Sequence, residues 1–175
     1  MRAHGKGPRR ILAVDVRPHR FGYAAIETPA RLLDFGVARF ASLQAGRLRA
    51  ASLLQRLQPK VLVLRGITPR SRRDQPQTRR LMRSIQHQVQ LASIQIAFLD
   101  ERQLLRYFAA HGVHTKHEAA CLLAREFPEV AWQLPPHPRK PWEPEHWRMP
   151  AFDALMLAVI YLGPRTSQSK IKDIA

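Results

Sequence analysis

Cysteine is almost missing from this sequence. Cys121 is the only one in 175 residues, so the chain closes no internal disulfide and builds no thiolate zinc centre, and the usage fits a reducing cytoplasm. Long apolar runs are also lacking. The longest, residues 154–162, falls well short of the roughly 20 residues that a membrane-spanning helix needs. Residues 1–10 carry Arg2, Lys6, Arg9 and Arg10 without the apolar core of a signal peptide. A soluble, cytoplasmic protein with no membrane contact is the expectation. Acid is scarce too: 13 Asp plus Glu stand against 29 Lys plus Arg, a formal charge of +16. That excess is more than solubility requires and points to a polyanionic partner, nucleic acid first. It says nothing about catalysis, because basic structural proteins share it.

What is present suits one domain with a real core. Residues 1–10 read as a flexible basic arm and residues 164–175 as a polar, basic tail. Between them, Ile11-Leu-Ala-Val-Asp-Val-Arg-Pro18 is an apolar run that carries Asp15 toward the middle of a sheet. An ionised acid buried without a partner costs several kcal/mol, so Asp15 calls for a cation. Residues 20–28 and 31–40 have the spacing of two further antiparallel strands. Leu43, Leu48, Ala51, Leu54 and Leu57 recur at helical spacing up to Gln58-Pro59, which predicts a crossover helix. Residues 60–67 then read as a buried parallel strand.

From Arg65 to Arg83 the chain holds seven arginines (Arg65, Arg70, Arg72, Arg73, Arg79, Arg80 and Arg83) against the single acid Asp74. Like charges at that density repel one another without a partner. Thr78, Leu81, Met82, Ile85, Val89 and Ala92 form the apolar stripe of a helix there, which leaves Arg79, Arg80 and Arg83 facing outward to meet phosphate. Residues 94–99 predict another strand, followed by a helical pattern through Tyr107. Thr115-Lys-His-Glu118 is a capping box that opens a further helix. Residues 128–149 are rich in proline and hold Trp142 and Trp147, which predicts an extended loop. Those two indoles either pin the loop or stack on unpaired bases, and pinning is the commoner role. Residues 150–162, with Pro150 at the start and apolar side chains nearly all round, predict a buried helix. His114, His117 and His137 lack the spacing of a zinc site.

The order predicts an α/β architecture: three antiparallel strands continued by parallel strands, with helices packed on the mixed sheet. Asp15 lies on the first strand, Asp100 and Glu101 close the last, and Asp153 sits in the first turn of the last helix. If the first and last strands are neighbours, these carboxylates converge. Carboxylates that converge beside arginines describe a Mg²⁺ or Mn²⁺ site for phosphodiester hydrolysis, since hard cations take oxygen ligands. Each also has a plainer role, Asp15 as the partner of Arg17 or Arg65, and the others as helix N-terminal acids.

Ala13-Val-Asp-Val-Arg-Pro-His-Arg-Phe-Gly22, Phe98-Leu-Asp-Glu-Arg102 and Phe152-Asp-Ala-Leu-Met-Leu-Ala158 occur in this order and on these elements. Together they resemble the motifs of the ribonuclease H-like superfamily, in the RuvC-like branch that includes Holliday-junction resolvases and YqgF proteins. The resemblance spans most of residues 11–163. It implies a divalent-metal-dependent nuclease acting on branched DNA or structured RNA, with Asp15, Glu101 and Asp153 as the catalytic, metal-binding triad and Asp100 beside them. Junction resolvases tend to dimerise, so a homodimer is compatible with the resemblance, and a subunit of a larger nucleoprotein complex is a further option. Arg17, Arg65, Arg70, Arg72, Arg73, Arg79, Arg80 and Arg83 would then hold the nucleic acid. Three departures stand out: Arg17 replaces the glycine two residues after the first aspartate, Leu64-Arg65-Gly66 replaces a strand-end glutamate, and Pro150 replaces a second helix aspartate. They leave open a different outcome, a non-catalytic nucleic-acid-binding protein in which arginine supplies the charge of the metal.

Overall fold

The computed structural model describes residues 8–69 and 74–163. Five strands, β1 (Arg10–Val16), β2 (Arg20–Glu27), β3 (Arg31–Arg39), β4 (Val61–Arg65) and β5 (Gln95–Leu99), make one sheet in the order β3-β2-β1-β4-β5. β1, β2 and β3 form an antiparallel meander, and β4 and β5 extend it in parallel from β1. This is the mixed sheet that the sequence predicts. The first and last strands are not neighbours, however. β4 lies between β1 and β5, because both parallel strands add to the same side of β1.

Among the described residues, five α-helices cover the two faces. α1 (Leu43–Leu57) and α2 (Pro76–Leu91) lie over Leu12, Val14, Phe21, Leu62 and Leu64, while α3 (Glu101–Ala110), α4 (Lys116–Glu126) and α5 (Met149–Leu162) lie over Ile11, Ala13, Ala24, Ile26 and Val63. With both faces covered, the central strands must be apolar on both sides, which is why β1 and β4 read as continuous hydrophobic runs. The stripe that α1 buries is Gly46, Ala50, Leu53 and Leu57, not the one read through Leu43 and Leu48, which are 38% and 61% exposed. Gly46 packs closely on the ring of Phe40, where a Cβ would stand 3.1 Å from the nearest ring carbons. The proline-rich stretch is less extended than expected: it opens with a 3-10 helix over Pro128–Gln133, and α5 begins at Met149. No helix among the described residues is long and apolar enough to cross a membrane.

Side-chain alternation along β1 sorts its residues between the two layers. Leu12, Val14 and Val16 join the core under α1 and α2, and Ile11 and Ala13 join the core under α5. Continuing that period of two puts Asp15 and Arg17 on the α5 face. α5 comes very close to the sheet here. A Cβ on Gly22 would stand 1.8 Å from the carbonyl oxygen of Pro150 and 2.4 Å from the nitrogen of Ala151, so only glycine admits the first turn of the helix. Gly22 is the ladder partner of Asp15. The helix that carries Asp153 is thereby seated directly over the rung that carries Asp15.

Candidate site: a carboxylate centre filled by two cations

Asp15 and Asp153 are 1% and 3% exposed, the only carboxylates buried to that degree among the described residues. Charges so deeply placed need compensation. Arg17 provides it from the same strand: its Nε donates to Asp15 Oδ2 at 2.6 Å and its Nη2 to Asp153 Oδ2 at 2.7 Å, while Nη1 reaches Glu145 Oε2 at 2.9 Å. Lys116 completes the arrangement, with Nζ 2.7 Å from Glu145 Oε1 and 2.9 Å from Asp153 Oδ2. One planar guanidinium thus bonds an oxygen from each of three carboxylates, as its forked donors allow.

The electrostatics agree with this geometry. Burial on its own would weaken the Arg17 cation, but the fields of Asp15, Asp153 and Glu145 together reverse that effect and raise its pKa above the ordinary arginine value. Glu145 follows the opposite logic. Burial pushes its carboxyl up, and Lys116 and Arg17 outweigh that push and hold it below the ordinary 4.5. Lys116 is the first residue of α4, after the Thr115 N-cap. A cation there opposes the helix dipole by a few tenths to about 1 kcal/mol, which the two carboxylates offset.

Of the residues expected at a site, Asp15, Asp153 and Arg17 meet here. Asp100 and Glu101 stand elsewhere. Both are exposed at the start of α3, beyond β5 and so two strands across from β1. Asp100 is engaged as an N-cap, its Oδ1 accepting from the Gln103 backbone amide at 2.8 Å while the Asp100 backbone amide donates to Gln103 Oε1. Arg65 ends β4 and lines the cleft beside Arg17 and Lys116. Arg79 pairs with Asp74 at 2.6 Å, and Arg80 and Arg83 are exposed on α2, in the layer opposite α5. Arg70, Arg72 and Arg73 lie outside the described residues, as do most of the basic arm and the tail. Two members of the centre carry little signal in the sequence. Lys116 sits inside the capping box at Thr115, and its adverse position in the helix dipole is the one mark it bears. Glu145 belongs to an irregular proline-rich stretch where no periodicity marks a residue as inward.

Three carboxylates are a fitting donor set for a hard divalent cation. In this chain their shared point is taken by the guanidinium of Arg17, with the Lys116 ammonium beside it, and among the described residues no group of three or more His, Cys, Asp or Glu side chains is arranged to hold a metal ion. The residues present fit an internal organic cation and not a divalent metal.

The centre opens onto a cleft of about 1080 Å³, whose cationic lining includes Arg17, Arg20, Arg65, Lys116 and Arg139. A second depression, of about 900 Å³, continues past Arg17 and Arg20 to Arg39 and Arg49.

No family model and no curated protein sequence matches the chain. Solved structures do. RuvC of Thermus thermophilus in complex with a Holliday junction substrate is 17% identical and superposes with a TM-score of 0.63 over 87% of this chain and 91% of its own. The yeast mitochondrial Holliday junction resolvase Ydc2 is 10% identical, with a TM-score of 0.62 over 95% of this chain and 81% of that one. The fowlpox virus Holliday junction resolvase is 11% identical, at 0.56 over 87% and 97%. At such identities the likeness is one of fold, and the chain has the ribonuclease H-like fold in its RuvC-like form.

Proposed function

We propose that this protein binds branched DNA through a RuvC-like scaffold whose carboxylate centre is charge-compensated from within, so that it recognises the branch without cutting it. The observation that carries this reading is the Arg17 guanidinium, bonded to Asp15, Asp153 and Glu145 at 2.6–2.9 Å. The fold, which this chain shares with proteins solved on Holliday junctions, and the cationic cleft over the same centre support the choice of ligand. The centre itself becomes a structural staple joining β1, α4, α5 and the stretch that holds Glu145.

A second reading is metal-dependent cleavage of the branch, with Mg²⁺ or Mn²⁺ as cofactor. It is favoured by the meeting of Asp15 and Asp153, carried to one point by β1 and α5. It requires Arg17 and Lys116 to vacate that point, and the exposed positions of Asp100 and Glu101 supply no replacement.

Labelled four-way DNA junctions incubated with the protein in Mg²⁺ or Mn²⁺, beside Asp15→Asn, separate the two. The expected result is a retarded junction that stays intact. Cleavage by the wild type that disappears in Asp15→Asn would overturn the proposal and establish the second reading. Equal failure to retard four-way, three-way and linear DNA would overturn both.

A further inference from the structure

All three tryptophans of the chain fall within the stretch 132–147, and all three are on the outside: Trp132 is 72% exposed, Trp142 78% and Trp147 40%. Trp132 and Trp142 leave most of their surface in water, and Trp147 is a little more than half covered. Each carries a cation. The Arg148 guanidinium lies 5.7 Å from the ring centre of Trp132 and 4.8 Å from that of Trp147, Arg39 lies 4.8 Å from Trp147, and Lys140 lies 5.8 Å from Trp142. His146 stacks on Trp147 with centres 6.0 Å apart. Arg148 also donates from Nη1 to the Trp132 carbonyl at 3.3 Å, while its buried Nε meets no acceptor among the described residues.

We propose that Trp132, Arg148, Trp147 and Arg39 form a stacking ladder that receives unpaired bases at the branch of a bound DNA. The proposal rests on the chain's binding branched DNA, and it names which part of that DNA the loop takes. Exposed aromatic rings stack on bases without regard to sequence, and planar guanidinium groups beside them meet both the base and its phosphate. Paired bases have no free face for such a ladder, so the ligand it fits is the unpaired segment of a fork, flap or gap. The carboxylate centre contributes to its placement: Glu145, held by Arg17 and Lys116, is two residues from Trp147. Trp147 and Met149 line the same cleft as Arg17 and Lys116, so a strand leaving the cleft passes the ladder.

The test compares two labelled DNAs, a fully paired four-way junction and a forked duplex with a short unpaired segment, against the wild type, Trp132→Ala/Trp147→Ala and Trp132→Phe/Trp147→Phe. The wild type is expected to prefer the fork. The alanine pair is expected to lose about tenfold in affinity for the fork, in the range for loss of a stacked base, and several-fold less for the paired junction, so that the preference for the fork disappears, while the phenylalanine pair retains it. Equal loss on both DNAs would overturn the proposal, since it would make the rings supports of the general surface. A wild type that binds both DNAs equally well would overturn it as well and leave branched-DNA binding standing. A wild type that binds neither would bring down the underlying reading. A blue shift of tryptophan emission on vesicles of anionic phospholipid, with none on the fork, would assign the rings to a membrane surface and overturn the proposal.

Discussion

The carboxylate centre and the tryptophan loop are neighbours in space and opposites in construction. At the centre each carboxylate meets a cation of the chain itself: Asp15, Asp153 and Glu145 face Arg17 and Lys116, and the two aspartates are buried. On the loop, arginine and lysine lie over indole rings that remain largely in solvent. Buried ions without partners are costly and their pairing is enforced by folding, whereas exposed cations and rings carry little folding energy and remain available to a ligand. The contrast divides labour: the centre holds elements together and the loop meets the outside.

The sharpest break of that comparison is Arg17→Ala. It removes the strand cation that Asp15, Asp153 and Glu145 share, and loss of one partner of a buried ion pair costs about 3–5 kcal/mol. Urea unfolding should show a lower midpoint at an unchanged slope, the slope multiplied by the midpoint shift giving that loss. A change below about 0.5 kcal/mol, the level of ordinary surface substitutions, would mean that the centre is wet and weakly coupled. Next is Gly22→Ala. Its Cβ would collide with the backbone of Pro150 and Ala151, which cannot yield without moving α5, and overpacking of this kind costs about 1–3 kcal/mol or more. Trp142→Ala, in the same assay, should stay within about 0.5 kcal/mol. A large loss there would erase the distinction between staple and receiving surface.

How much of this is legible in the sequence depends on what each residue type signals. The mixed sheet and the order of elements can be read because strands buried on both faces are continuous apolar runs, and helices announce themselves by period and by caps such as Thr115-Lys-His-Glu118. Asp15 stands out because a carboxylate in such a run needs a cation, and Arg17 two residues along is the visible alternative to a metal. Whether β5 reaches β1 cannot be read, since strand order is set by packing across long sequence separations, and with it goes the placement of Asp100 and Glu101. Lys116 and Glu145 are invisible for a related reason: they matter only through α4, α5 and an irregular loop meeting at one point. The apolar stripe of α1 is misread through Leu48 because Gly46, on the face that is buried, carries no hydrophobic signal.

The smallest expected effect is the one that most finely separates inside from outside, and it concerns Glu145. Its carboxyl is partly exposed and its pKa is held below the ordinary 4.5: burial opposes the ionised form, and Lys116 and Arg17 more than offset that. A carboxyl whose folded pKa lies below its unfolded value favours the fold when ionised. That contribution is present in full above about pH 4.5 and fades as pH falls through the lower, folded value. Glu145→Gln removes it. Wild type and variant should therefore differ in stability at neutral pH by about 1 kcal/mol or less, an amount discounted for solvent screening, and the gap should narrow as the pH falls below the ordinary 4.5 and close once the carboxyl is protonated in the fold. The same variant should loosen the segment bearing Trp147 and so weaken the preference for a fork over a paired junction at neutral pH. A stability gap that does not change between neutral and acid pH would mean that Glu145 acts by packing and not by charge, and the link from the buried centre to the exposed ladder would then be steric.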